Sequence, residues 1–82
     1  MSADPRPLDE LNPGESGTIQ RLNGAAEVRH RLQEMGLTRG TSVRLVRVAP
    51  WGDPIELQVR GYRLSLRRSE AASVLIEVHQ SR

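Results

Sequence analysis

A mainly β fold is expected: a small five-stranded barrel with one α-helix inserted between strands 1 and 2 and a short helical turn before the last strand. Three observations lead there. Residues 55–60, Ile-Glu-Leu-Gln-Val-Arg, alternate strictly, which places Ile55, Leu57 and Val59 on a core face and Glu56, Gln58 and Arg60 toward water. The run 42–48 changes phase. Val43 and Leu45 share one face and Val46 and Val48 the other, and a bulge or sharp bend reconciles them by letting both pairs line a closed barrel. Only the stretch from Ala25 to Met35 carries apolar residues at helical spacing over several turns. Closure would also remove the edges that an open sheet leaves free for aggregation.

Residues 1–7 hold two prolines and no periodicity and are expected to form a flexible N-terminal tail, with the domain spanning 8–80. Leu8 and Leu11 are spaced for one helical or 3₁₀ turn across a barrel end, and Pro13-Gly14 suits a type II turn. A first strand covers 17–22. In the helix that follows, Ala25, Val28, Leu32 and Met35 fall on one face, while Glu27, His30 and Glu34 fall on the other. Glu27 and Arg31 are spaced as a favourable ion pair along the helix. Gly36 suits the left-handed residue that ends a helix in a Schellman motif, with Leu37 folding back onto Leu32.

Gly40-Thr41 turns the chain into the central hairpin, 42–60, whose tip is Ala49-Pro50-Trp51-Gly52-Asp53-Pro54. Each proline holds its predecessor extended, Gly52 can take a positive φ, and Pro54 stands where a missing N–H costs nothing. Gly61 turns the chain into a fourth strand, where Tyr62, Leu64 and Leu66 share the inward phase. Ser69 is a plausible N-cap for the helical turn 69–72, and Val74, Ile76 and Val78 give the core phase of the fifth strand. The structural turn residues are thus Gly36, Gly40, Gly52, Asp53, Pro54 and Gly61.

With 82 residues, the chain has room for one domain, and one compact core must suffice. Zero cysteines exclude disulfides, thiolate zinc sites and cysteine nucleophiles. No apolar run approaches the ~18 residues of a membrane span and the start lacks a signal peptide's apolar segment, so a cytoplasmic location is expected. All 12 basic residues are Arg, yet 10 carboxylates reduce the net charge to +2, so the pI of 10.4 reflects arginine's pKa more than a strong field. Phe is absent, which leaves Leu, Val and Ile to build the core with Trp51 and Tyr62 as the only aromatic contributions.

The pattern Arg29-x-Arg31-Leu32-x-x-Met35-Gly36-Leu37-x-x-Gly40-x-x-Val43, then Ala49-Pro50-x-Gly52-Asp53-Pro54, then Val59-x-Gly61-Tyr62-x-Leu64-x-Leu66-Arg67-x-x-Glu70-Ala71 resembles the FeoA family, the ferrous iron transport protein A domain. The match runs from Leu8 to Val78, and the order and spacing of its segments make it specific. The resemblance implies an SH3-like barrel that acts on the cytoplasmic side as an accessory to the FeoB ferrous iron permease, a membrane protein with a GTP-binding domain. It implies no catalysis, and it leaves ferrous iron to the partner, with weak direct metal binding open. A similar domain closes metal-dependent repressors of the DtxR type, which makes a regulatory domain of such a system an alternative.

The residues themselves point to a binding module. Ser65, Ser69 and Ser73 have no spacing that supplies a base and an orienting acid, and no Gly-rich phosphate loop opens a helix, so no catalytic residue is assigned. His30 near Glu34 and His79 beside Glu77 project outward from different elements, so no metal ligand set is assigned either. Pro50, Trp51, Arg60, Arg63 and Arg67 are the candidate partner-binding residues. Trp51 is expected to pack partly, leaving one ring edge for the partner. The cluster Arg60, Arg63, Arg67 and Arg68 raises a nucleic-acid-binding small barrel as the other alternative. That reading needs stacking aromatics across the strands, where only Tyr62 is available, so no nucleic acid is expected and the arginines are assigned to ion pairs with Glu56 and Glu70. A monomer or weak homo-oligomer, not inserted in a membrane, is the expected state.

Overall fold

A computed structural model describes residues 4–79 and turns each short apolar run into a strand. The order is β1 (Arg6–Pro7), a 3₁₀ turn (Leu8–Glu10), β2 (Ser16–Leu22), α1 (Ala26–Glu34), β3 (Ser42–Val48), β4 (Ile55–Val59), β5 (Tyr62–Leu66), α2 (Arg68–Ala71) and β6 (Val74–Val78). All strand pairs are antiparallel and form one six-stranded sheet in the order β1-β6-β2-β3-β4-β5.

The phase change in β3 is a bulge. Register passes from Leu45↔Leu57 to Arg47↔Glu56, so Val46 is the extra residue, and Val48 is thereby returned to the core beside buried Val43 and Leu45. A second bulge in β2 places Gln20 between Ile19↔Ile76 and Arg21↔Leu75. These bends curl the sheet around an aliphatic core in which Leu8, Ile19, Leu32, Leu37, Leu57 and Ile76 are completely buried. At Gly17, where β2 crosses β6, a Cβ would lie 2.7 Å from the Glu77 carbonyl oxygen, so the close approach demands glycine.

Three expectations about the architecture need correction. The sheet has six strands, because Arg6 and Pro7 pair with Ile76 and Leu75; the expected tail therefore gives two residues to the sheet, at an edge where proline's missing N–H is harmless. Residues 1–3 of that tail, and Gln80 at the expected domain end, lie outside the described residues. The sheet is also not closed: β6 spends its two edges on β2 and β1, which leaves none for β5. Finally, the core has no aromatic member, since Trp51 is 93% and Tyr62 42% exposed.

Helix α1 ends as its sequence dictates. The Gly36 amide donates to the Gln33 carbonyl (3.0 Å) and the Leu37 amide to the Leu32 carbonyl (3.0 Å), the paired bonds of a Schellman motif, with Gly36 at φ +97°. Leu32 and Leu37 are buried and Val28 and Met35 half-buried against the core, whereas Ala25, expected on the same face, is the exposed N-cap. Arg31 does not pair with Glu27. It crosses to Glu70, whose better shielded carboxylate outcompetes a freely solvated neighbour on the helix.

Candidate partner-docking site

The tip of the β3–β4 hairpin is the most sharply defined feature outside the core. Its backbone closes on itself, with the Ala49 amide donating to the Pro54 carbonyl (3.0 Å) and the Gly52 amide to the Ala49 carbonyl (2.7 Å). Arg68 then fastens it from outside. The Arg68 amide donates to Asp53 Oδ1 (3.0 Å), its Nε to the Gly52 carbonyl (2.8 Å) and its Nη1 to the Asp9 carbonyl (2.8 Å). One half-buried guanidinium therefore joins the tip, the 3₁₀ turn and the start of α2, and Asp53 supplies the negative charge that a helix N-terminus favours. From this rigid frame, Trp51 projects into solvent. The expected partial packing is overturned: the frame is held by backbone bonds and Arg68 without the indole, which stays exposed.

The start of α2 also departs from expectation. Arg67, not Ser69, is the N-cap, and Glu70 Oε1 accepts the Arg67 amide (3.0 Å) while Oε2 takes Arg31. A carboxylate three residues on accepts the N-cap amide itself, where a Ser69 hydroxyl was expected to accept an amide further into the helix. Between α1 and α2 runs an open groove of about 550 Å³ lined by Val28, Arg31, Arg67, Ser69, Glu70 and Ser73.

The five candidate binding residues do not form one patch. Strand β4 leads from the tip to the Arg60-Gly61 turn, so Pro50 and Trp51 are separated from Arg60 by the strand's length, about 17 Å. Arg60, at φ +45°, and Gly61, at φ +89°, form the two-residue turn between Val59 and Tyr62, and Arg60 Nη2 lies 3.4 Å from Thr41 Oγ1. Arg63 sits on the outer sheet face, its Nε donating to Gln58 Oε1 (3.2 Å) and its Nη1 lying 3.7 Å from Glu56. Arg67 returns to the tip end, next to the Arg68 clamp. Pro50, Trp51 and Arg67 thus share one end of the molecule.

Tyr62, expected in the core, instead lays its hydroxyl on the Met35 carbonyl at the end of α1. His79 bonds through Nδ1 to Ser16 Oγ (3.2 Å) and through Nε2 to Thr18 Oγ1 (2.7 Å), while His30 is exposed beside Gln33 and Glu34. Among the described residues, no group of three or more His, Cys, Asp or Glu side chains comes together to hold a metal. No helix among them is long and apolar enough to cross a membrane. Arg68, named in the sequence only as part of a basic cluster assigned to ion pairs with Glu56 and Glu70, pairs with neither, and its part in holding the tip is what sequence reasoning missed. Its partners lie 15, 16 and 59 residues away, so no local pattern could announce it.

A small curled β-sheet module with a rigid, solvent-presented aromatic tip is the class these features define. The FeoA domain family matches residues 6–78, and the chain belongs to that family, which is associated with ferrous iron transport. A FeoA-like protein from Clostridium acetobutylicum, solved by NMR, superposes with a TM-score of 0.91 at 36% identity over 98% of this chain and 93% of that one. FeoA of Stenotrophomonas maltophilia, solved with zinc and described as an SH3 domain protein, superposes with a TM-score of 0.75 at 32% identity over 92% and 91% of the two chains. The fold is accordingly SH3-like. The chain is also 36% identical over 74 residues to a Porphyromonas gingivalis protein that fuses Fe(2+) transport protein A to the Fe(2+) transporter FeoB; the match takes in 90% of this chain but only 9% of that protein.

Proposed function

We propose that this protein is a non-catalytic accessory of ferrous iron uptake that binds a FeoB-type permease from the cytoplasmic side and modulates it. The observation that carries the reading is Trp51, displayed by a tip whose backbone is already fixed by Arg68, so that binding would order little that is not ordered beforehand. Pro50 and Arg67 lie at the same end of the molecule as the indole. The Porphyromonas relative, in which the two components are one polypeptide, supports FeoB as the partner. In this reading iron is handled by the permease and this chain needs no cofactor of its own. Nucleic acid is disfavoured because neither aromatic belongs to a stacking platform on the sheet: Trp51 is in a loop and Tyr62 is tied to Met35.

Co-purification of tagged wild-type and Trp51→Ala protein from cells carrying the permease tests this. The permease is expected with the wild type and reduced at least ~10-fold with the variant, as loss of a hot-spot aromatic predicts. Equal recovery with both would remove the tip from the interface, and RNA in place of the permease would overturn the partner.

A further inference from the structure

The two edges of the sheet are unlike. At one end, β1 is two residues long and contains Pro7, which blunts it. At the other, β5 is five residues long, pairs with β4 without a bulge from Val59↔Tyr62 to Ile55↔Leu66, and contains no proline. Because a two-residue turn joins Val59 to Tyr62, that pair exchanges backbone bonds, and so do Leu57/Leu64 and Ile55/Leu66. The amide and carbonyl groups of Arg63 and Ser65 must then point away from β4, where among the described residues they meet no backbone or side-chain partner. Arg63 and Ser65 are exposed, and Leu64 is only half covered. This edge is a free strand template.

Its charge identifies what it accepts. Residues 57–69 contain Arg60, Arg63, Arg67 and Arg68 and no carboxylate. Arg68 is engaged by the tip, and the one carboxylate near Arg63, that of Glu56, is shared at 3.7 Å with Arg47. Antiparallel pairing with a second copy would set the Arg60 end of one chain against the Arg67-Arg68 end of the other, a like-charge contact that disfavours self-association. We propose that the free edge of β5 receives an extended, acidic segment of the protein partner as a seventh strand. Its backbone pairs with Arg63 and Ser65, its apolar side chains cover Tyr62 and Leu64, and its carboxylates meet Arg60, Arg63 and Arg67. This deepens the partner reading above by adding a second contact, along β5, that starts at the Arg60 end and reaches toward the tip at Arg67.

The test is a titration of the ¹⁵N-labelled chain with a synthetic octapeptide alternating Val and Glu. The Arg63 and Ser65 amides are expected to shift and to exchange more slowly with solvent, and the same peptide with Lys for Glu should not bind. Ser65→Pro, which removes one outward N–H from a position that gives none to β4, should weaken binding ~10-fold or more. Arg63→Glu should do the same through charge alone, so the test stands even where proline unsettles the strand. Unchanged affinity in Arg63→Glu, no shift at Arg63 and Ser65 up to about millimolar peptide, or shifts confined to the α1–α2 groove would overturn the proposal. Concentration-dependent shifts of the same amides without peptide would assign the edge to a second copy instead, and tighter binding of single-stranded RNA there would assign it to nucleic acid. Permease recovery separates the two readings: full recovery with Arg63→Glu but loss with Trp51→Ala overturns edge pairing and leaves the tip, whereas the reverse pattern overturns the tip.

Discussion

The chain has two aromatic side chains, and they are held in opposite ways. Tyr62 is drawn inward by a single polar contact, its hydroxyl resting on the Met35 carbonyl beside Gly36. Trp51 has no such tether, yet its loop is the more heavily bonded of the two surroundings. The difference shows that exposure here is not slackness. Around Tyr62, the side chain completes a helix end, so structure explains it. Around Trp51, the backbone is completed by Arg68 and no internal contact accounts for the indole, which is the opening the proposed partner contact would use. In a core without Phe, burying this Trp would have been the cheaper use of a large apolar group.

The contrast can be broken at either side. The largest effect is expected from Gly36→Val. A Cβ at φ +97° is strained by itself and would collide with the Tyr62 hydroxyl, so a loss of about 2–3 kcal/mol is expected in denaturant unfolding. Tyr62→Phe combined with Gly36→Ala should lose less than the sum of the two single changes, because removing the hydroxyl removes the collision; strict additivity would mean that the two residues do not meet. Next comes Arg68→Ala, which removes the two side-chain bonds to the Gly52 and Asp9 carbonyls while keeping the backbone bond to Asp53, and should cost roughly 1–3 kcal/mol. It should also lower the fluorescence anisotropy of Trp51 by freeing the tip, and an unchanged anisotropy would show that the clamp does not hold the loop. Tyr62→Phe alone should cost about 1 kcal/mol, the worth of one hydrogen bond. Smallest of all, Trp51→Ala should change stability by less than about 0.5 kcal/mol while weakening partner binding most.

Much of the fold was legible in local pattern. The phase change in β3, the Schellman ending at Gly36-Leu37 and the inward phase of Ile55, Leu57 and Val59 each follow from a few adjacent residues, because the physics that sets them is local, although Val46, expected to line the core with Val48, is the bulged residue and stays outside it. What was not legible is what depends on distant partners. Arg6 and Pro7 became a strand because β6 offered an edge, and Arg31 left Glu27 for Glu70. The same holds for the candidate site. Pro50, Trp51, Arg60, Arg63 and Arg67 were visible as candidates, but only the antiparallel path of β4 and β5 separates Arg60 from the tip and returns Arg67 to it. Trp51 was expected to pack partly against the barrel end, in place of the absent Phe residues, with one ring edge exposed. That argument weighed composition and could not see that the aliphatic residues would close a core without it, leaving Trp51 93% exposed.

The central claim is that Trp51 is presented to a partner, and since it is the only tryptophan in the chain its own emission reports on it. Steady-state fluorescence of this chain, alone and with the detergent-solubilised permease, is the direct measurement. The free protein should emit as a fully solvated indole, readily quenched by iodide, and addition of the permease should shift the emission to the blue and protect it from iodide. Emission already blue-shifted and protected in the free protein, or unchanged when the permease is bound, would contradict the account.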